Sequence, residues 1–344
     1  MITNIQDIAK EAGVSPSTVS RSFTRPELVS NKTREKVLKI ANELNFSLSR
    51  SAVALKSGKA LRIALLISNH IRLWFSASVI EGLNQIFHRQ GYDISIFQIS
   101  SIDERREFFT TLPVLRNADA VIVVSFDVDE AEIQQLATID VPIIGINSVL
   151  PSTCQGFSAS VNIDDFQGAR MAVRHLVSLG HRNIAYIRKT GGGSLRFSVD
   201  VRFHSFLDCC HEEGIEPHII SIEENEPRVA DAVAQLTTLP SMPTAVVCQE
   251  DSIALPLMFV LQRSGFNIPN DISVIGYDDS FYAEDAKLTT IRQDPVAMAQ
   301  TAANITLDLI NGNEPEQRFV TFCPQLIMRA STTKPCTYAP SAES

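Results

Sequence analysis

The sequence predicts an all-α head of three short helices, then an α/β body whose strands form parallel sheets in two similar subdomains. Three features of the 344 residues carry that prediction. The first sixty residues hold two apolar stripes of helical period and a Gly-containing turn. From Leu61 onward, short Ile/Val/Leu runs alternate with amphipathic stretches, in two sets of four. Charge is also divided. Residues 1–60 carry ten Lys/Arg and five Asp/Glu, a net of +5, while the whole chain is at −9. An acidic protein with a basic head turns only the head toward a polyanion.

In the head, Ile5, Ile8, Ala9 and Ala12 fall at i, i+3, i+4 and i+7, one face of a helix. Gly13 ends it, because Gly accepts the left-handed conformation after a last turn. Ser15 can cap a second helix, and Pro16 fits its first turn, where no N–H is needed. Two short helices across such a turn make a helix-turn-helix. The second helix shows Pro16, Ser17, Ser20 and Arg21 with only Val19 clearly apolar. It makes little core, and its hydroxyls and Arg21 suit a DNA major groove. Ser30 caps a third helix striped by Val37, Ile40, Ala41 and Leu44, with Lys36 and Lys39 on a solvated face. The expected core is Ile5, Ile8, Ala9, Val14, Val19, Val37, Ala41 and Leu44.

The stretch "DIAKEAGVSPSTVSR", followed by "VSNKTREKVLKIANELNF", resembles the DNA-binding head of the lactose-repressor (LacI/GalR) family of bacterial transcription regulators. The pattern D-x-A-x-x-A-G-V-S-x-x-T-V-S-R is met in full. The resemblance implies that Pro16, Ser17 and Arg21 read bases, and that Thr18, Ser20, Ser30, Asn31 and Thr33 contact the DNA backbone. Pro16 offers only apolar contact, for instance to a thymine methyl, whereas Arg21 can bond a guanine edge bidentately. The next stretch, "SLSRSAVALKSGK" (47–59), aligns with the family's hinge helix, P-N-x-x-A-R-x-L. Leu48-Ser49 replace Pro-Asn, Ala52 and Leu55 are kept, and Val53 replaces Arg; Arg50 or Lys56 can partly stand in for the lost charge. The resemblance implies a segment that folds when two copies pair in the minor groove, with Leu55 as the wedge.

In the body, the runs are "RIALLIS", "YDISIFQI", "ADAVIVVS" and "VPIIGIN", then "NIAYIR", "PHIISIE", "TAVVCQE" and "ISVIGYDD". Near-continuous apolar runs suit parallel strands buried on both faces. Ligands of such sheets bind outside the carboxyl ends of the strands. That rule selects Ser68-Asn69-His70, Ser125-Phe126-Asp127, Asn147, Arg188, Glu250-Asp251 and Asp278-Asp279. Ser, Asp and Asn there also cap helices. Capping is the preferred reading for Asp251 and Asp279, and ligand binding for Asn147 and Asp278.

The resemblance continues through "VNIDDFQGARMAVRHLVSLGHRNIAYI", "PTAVVCQEDSIAL" and "NIPNDISVIGYDDS", which are similar to the family's effector-binding domain. It implies a fold like periplasmic sugar-binding proteins, with chain crossings near 161–164, 290–293 and 322–325. It places effector contacts on Asn69, Trp74, Phe75, Asn147, Arg202, Glu250, Asp278 and Gln293. Trp74 offers a face to sugar C–H groups; the alternative is a core or dimer-interface aromatic. Arg202 and Asp278 can hold vicinal hydroxyls. Two departures stand out: Glu250 where the family usually has Asn or Ser, and Ser205 in place of the Gly of R-x-x-G.

The expected organisation is a head at 1–46 and a hinge helix at 47–60. An effector-binding and dimerisation domain follows at 61–332, and a disordered tail at 333–344. Within the third part, the N-subdomain takes about 61–160 and 293–322, and the C-subdomain about 161–291 and 323–332. The expected function is a repressor of carbohydrate-utilisation genes, released from a pseudo-palindromic operator by a sugar-like effector. A nucleoside, purine or sugar phosphate is the alternative effector. A sugar-transport protein is the alternative class. The tail lacks a leucine heptad, so a homodimer is expected rather than a tetramer. No phosphate loop, nucleophile elbow or H-E-x-x-H motif is present, and "KTGGGS" (189–194) lacks the Lys of a phosphate loop. The seven His have no metal spacing, so neither enzyme activity nor a cofactor is expected. No apolar run approaches the roughly 18 residues of a membrane span. The polar start, with Asp7 and Glu11, is unlike a signal peptide. A cytoplasmic protein with free, buried thiols is expected.

Overall fold

The computed structural model describes residues 4–24, 26–44, 46, 59–68, 70–99, 101–115, 118–125, 132, 134, 140–148, 156–190, 198–223 and 228–336. Contacts divide the chain into two compact units. One is residues 1–62 with 116–119, and the other is 63–115 with 120–344.

The first unit is built on α1 (Ile5–Ala12), α2 (Pro16–Thr24) and α3 (Asn31–Glu43). Asn4 and Asp7 form a reciprocal capping box at the start of α1, and Gly13 closes it at φ 62°. Thr18 donates its N–H to Ser15 Oγ at the start of α2, and Thr33 donates to Ser30 Oγ at the start of α3. Each cap satisfies a helix-end donor that would otherwise lack a partner. The core is Ile8, Ala9, Ala12, Val19, Val37 and Ala41, with Ile5, Val14, Phe23, Ile40 and Phe46 packed against it. Leu44, expected inside, is 40% exposed. Phe46 turns back instead and meets Phe23 edge-on at 6.2 Å, filling more volume than Leu44 could from its position at the helix end.

Among the described residues the second unit holds two six-stranded sheets. The N-subdomain sheet contains β1 (Arg62–Ile67), β2 (Asp93–Gln98), β3 (Ala120–Val124), β4 (Ile143–Ile146), β5 (Ala159–Ile163) and β11 (Phe319–Phe322). Its order is β11-β5-β4-β3-β1-β2. The C-subdomain sheet contains β6 (Ile184–Thr190), β7 (His218–Glu223), β8 (Ala245–Cys248), β9 (Ser273–Asp278), β10 (Thr289–Arg292) and β12 (Gln325–Ile327). Its order is β12-β10-β9-β8-β6-β7, the same winding. The β1–β3, β3–β4, β4–β5 and β5–β11 pairs of the first sheet and the β6–β7, β6–β8, β8–β9 and β9–β10 pairs of the second are parallel, and β10 with β12 is antiparallel. Inner strands such as β3, β4 and β8 are buried along their whole length, while the edge strands β2 and β7 mix exposed and covered positions. That contrast follows from covering inner strands on both faces and edge strands incompletely.

Each sheet thus has six strands where the sequence showed four runs. The extra ones are short and adjoin the crossings: β5 leads into α6 (Asp165–Leu179), β10 into α10 (Pro295–Ile310), and β11 into β12. In the N-subdomain, α10 lies against α4 (Trp74–Phe87), and the contact is tight at Gly82. A Cβ there would stand 2.5 Å from the Val296 carbonyl oxygen. In the C-subdomain, α7 (Ser198–Glu212) flanks α6, with α8 (Val229–Thr237) and α9 (Asp251–Arg263) covering other parts of the sheet.

Residues 333–336 do not form the free tail expected of them. Thr333 donates its N–H to Ser273 Oγ, and its carbonyl accepts from His181 Nε2 at 2.7 Å. Backbone pairing to β9 fixes this segment: Val274 donates to the Ser331 carbonyl. Residues 337–344 lie outside the described residues. Cys209, Cys210 and Cys248 are buried free thiols, but Cys323 and Cys336 are exposed, because the crossing and the last strand-like segment run over the surface. Among the described residues, no helix is long and apolar enough to cross a membrane.

Candidate nucleic-acid interface and ligand cleft

In α2, Val19 and Ser22 face inward and are fully buried. Pro16, Ser17 and Arg21 are exposed, and Thr18 and Ser20 are half-buried. The helix therefore presents one outward face of two hydroxyl groups, a proline ring and a guanidinium. Ser17 and Ser15 share a hydrogen bond at 2.7 Å, and Ser15 also meets Thr18 Oγ1 at 2.9 Å. α2 is fixed by its own backbone and by α3: Ser22 Oγ donates to the Thr18 carbonyl, and Arg34 Nε donates to the Ser22 carbonyl. Arg34 is thereby a brace. Ser30 and Asn31 are exposed at the start of α3, and Thr33 is half-buried and bonded to Ser30. Ala52 and Leu55 lie outside the described residues, as does Asn69.

The carboxyl ends of the body strands carry most of its non-glycine residues with positive φ. Ser125 follows β3 (φ 61°), Asn147 follows β4 (φ 50°), and Asp278 and Asp279 end β9 (φ 120° and 57°). Such backbone costs roughly 1–3 kcal/mol per residue and persists where the surrounding structure over-determines it.

Arg202, on α7, is the hub of the C-subdomain end. Its Nε and Nη2 reach Asp165 Oδ1 at 3.1 and 3.0 Å. Its Nη1 donates to the Gln249 carbonyl at 2.7 Å. Its guanidinium lies 3.5 Å over the Tyr277 ring, and the Tyr277 hydroxyl also donates to Asp165. Burial acts to lower the Arg202 pKa, but Asp165, Tyr277 and Asp278 together with Tyr186 outweigh it, and the group is held above its ordinary value. Glu250, where the family pattern has a neutral residue, is ion-paired to Lys189, and Ser252 donates to the same carboxylate. Burial pushes the Glu250 pKa up, and the Lys189 ammonium more than reverses this, leaving it below its ordinary value. Asp278 accepts from Gln293 Nε2 at 2.7 Å. Burial, then the nearby Asp251 charge, pushes its pKa well up.

Asp251 and Asp279 do not cap helices. Asp251 is fully buried and accepts from Thr290 Oγ1 and the Ser280 N–H at 2.7 and 2.8 Å. The strands leave it no slack, since a Cβ on Gly276 would stand 2.1 Å from Asp251 Oδ1. Asp279 is clamped by Arg292 Nε and Arg329 Nη1, each at 2.7 Å. Both carboxylates fasten the loop after β9 to the crossing strands, a demand that outranks the local preference for a cap. Asn147 is 4% exposed, and its Oδ1 accepts from the Ile163 N–H, so only its amide nitrogen is left for a ligand.

Burial raises the Asp251 pKa to about 6 from an ordinary 3.8. The folded chain therefore holds this proton more tightly than the unfolded one. The associated stability is full below pH 3.8 and is lost as pH rises through 6. Between pH 7 and 5 the wild type should gain about 1 kcal/mol relative to Asp251→Asn, as read by urea unfolding at each pH. Parallel pH profiles for the two proteins would contradict this assignment.

A cleft of about 250 Å³ opens between the subdomains. Trp74, Ser78 and Glu81 of α4 form one wall, and Ser280, Phe281 and Glu284 the facing one. Gln293 and the start of α10 form its base beside the crossing. Of the residues expected to bind a ligand, Trp74 and Gln293 meet at this cleft. Asp278 joins it through Gln293, Arg202 lies among the buried polar groups of the C-subdomain, and Glu250 is half-buried near them. Phe75 is half-buried beside Trp74. Asp165, Gln249, Tyr277 and Lys189, the partners of Arg202 and Glu250, carry no local sequence signal that marks them as such.

Comparison with known proteins agrees with this architecture. Residues 4–49 match the model for bacterial regulatory proteins of the lacI family, and residues 173–332 match the periplasmic binding protein-like domain. The chain is 30% identical to the HTH-type transcriptional repressor PurR of Vibrio parahaemolyticus, over 97% of this chain and 99% of that one. Its structure is similar to the lac repressor dimer bound to operator and the anti-inducer ONPF, with TM-score 0.84 and 26% identity over 97% of this chain and 100% of that one. It is also similar to a LacI family regulator from Enterococcus faecium with bound ribose, with TM-score 0.67 and 27% identity over 79% of this chain and 99% of that one.

Proposed function

The chain belongs to the lacI family of bacterial regulatory proteins, and from that premise we propose that it is a homodimeric repressor whose grip on DNA is set by a small molecule between its subdomains. The outward face of α2, with Pro16, Ser17 and Arg21, enters the major groove, while Thr18, Ser20, Ser30, Asn31 and Thr33 meet phosphates. Two heads on one pseudo-palindrome give the register that a two-fold dimer imposes. In this reading Ala52 and Leu55 belong to the hinge segment that pairs in the minor groove. The protein works in the cytoplasm, where the DNA is.

The observation that supports ligand control is the placement of the crossings. β10, which leads to α10, carries Gln293 at its end, so one residue touches the base of the cleft, the Asp278 carboxylate and the start of the connection. A ligand with different affinity for two inter-subdomain angles would shift their populations. About 5.5 kcal/mol of differential affinity moves such an equilibrium from 1:99 to 99:1. We take the effector to be polyhydroxylated, in keeping with the ribose-bound relative, and its binding to release DNA. The aromatic pair Trp74-Phe75 and the PurR relatives favour a purine base as the second reading, since a flat base stacks on such rings.

The test is operator binding by the full chain to DNA from upstream of its own gene. A mobility shift on a pseudo-palindromic duplex, with two chains per duplex and affinity falling steeply with salt, is expected. Equal affinity for scrambled duplexes at every salt concentration would refute the reading.

A further inference from the structure

The charges around the cleft are one-sided. Among the described residues its lining includes Glu81, Asp279, Glu284 and Asp294 against a single cation, Arg329. Asp279 is neutralised by Arg292 and Arg329, and Asp294 accepts the Ala297 N–H as the cap of α10. Glu81 and Glu284 are exposed at the mouth, and neither forms an ion pair among the described residues. A second feature lies at the base. Gln293 is only 6% exposed, and its amide nitrogen donates to Asp278. Its carbonyl oxygen is buried and accepts from no described residue. A buried acceptor without a donor costs about 1–3 kcal/mol, so it fits a site completed by a ligand N–H or O–H. The third feature is Trp74 on the wall, whose face attracts a cation.

We propose that the molecule taken by this cleft carries a positive charge: a small amine, with a hydroxylated amine such as an amino sugar as the chemistry that uses all three features. The ammonium sits between Trp74 and the Glu81–Glu284 mouth, and a donor on the ligand satisfies Gln293 Oε1. A phosphorylated or carboxylated molecule meets four carboxylates and a single, already paired guanidinium. This deepens the effector assignment made above and rests on the cleft being the regulatory site.

Calorimetry on the full chain tests it with D-glucosamine, D-galactosamine and spermidine. The uncharged counterparts are glucose, galactose and N-acetylglucosamine, and glucosamine 6-phosphate is the anionic one. At least one amine should bind about tenfold more tightly than its uncharged counterpart, the ratio expected from one cation–π contact together with an exposed ion pair. Tighter binding of spermidine than of either amino sugar identifies a polyamine as the source of the charge. In the double variant Glu81→Gln, Glu284→Gln the amine preference should fall several-fold, while ligand-free operator binding is kept. Equal or tighter binding of an uncharged or phosphorylated counterpart overturns the proposal, as does the absence of binding by every amine at millimolar concentration. An amine that binds without altering operator affinity leaves the charge preference standing and removes the regulatory role of the cleft. A neutral molecule that alters operator affinity does the reverse.

Discussion

Arg202→Ala should abolish the effector response and lower the stability of the body, while ligand-free protein still binds operator at low temperature. The substitution removes the two Arg202 contacts to Asp165, frees the Gln249 carbonyl and strips the plane that covers the Tyr277 ring. Removing one member of a buried pair leaves an uncompensated charge and costs about 3–5 kcal/mol. Asp165 is 5% exposed, so water can screen it little. Arg202→Lys separates the two consequences. It restores the charge and part of the stability, but a point ammonium reproduces neither the fork onto Asp165 and Gln249 nor the stack on Tyr277. Thermal unfolding should therefore recover in the Lys variant further than the effector response does. If both variants unfold and respond like the wild type, Arg202 is not the hub of this network.

Arg21→Ala should cost about 1–3 kcal/mol in operator binding, a loss of roughly 5- to 150-fold, with no loss of stability. Arg21 is exposed, and the core beneath α2 is carried by Val19 and Ser22. The loss should fall on specificity: affinity for the operator drops and affinity for unrelated duplex drops little. Asn31→Ala, at a position proposed to meet phosphate, should weaken both by a similar smaller factor. Anisotropy titrations on the two duplexes distinguish these outcomes. An equal loss on both duplexes for Arg21→Ala would make it a backbone contact.

The sequence was read most easily where a signal is local. The helix-turn-helix depends on i, i+3, i+4 spacing, Gly13 and the Ser caps, all within a few residues of one another. The central strands depend on continuous apolar runs. What escaped is tertiary. β10 offers only "TTIR" and β12 only "QLI", too short and too polar to announce strands, and they pair only because the chain crosses between the sheets. Leu44 continued the stripe of α3 by period, but the helix ends there and Phe46 supplies the bulk.

The three acidic doublets show the same limit within the site. Asp164 caps α6 by accepting the Gln167 N–H, so Asp165 is free to turn inward to Arg202. Asp251 and Asp279 likewise find partners at Thr290, Arg292 and Arg329, 13 to 50 residues away. A doublet can supply at most one cap to a helix, which is the one local hint that the second carboxylate has another task. Its partner depends on which strands the fold brings together.

The most direct test of the account is the operator affinity of the full chain as a function of ligand, with the ligand chosen by its effect on thermal stability. Salt is held fixed, since affinity for DNA depends steeply on it. Operator affinity should weaken at least about tenfold over the concentration range in which the ligand saturates the cleft, a coupling of about 1.4 kcal/mol or more. A ligand that saturates the cleft and leaves operator affinity unchanged would contradict it.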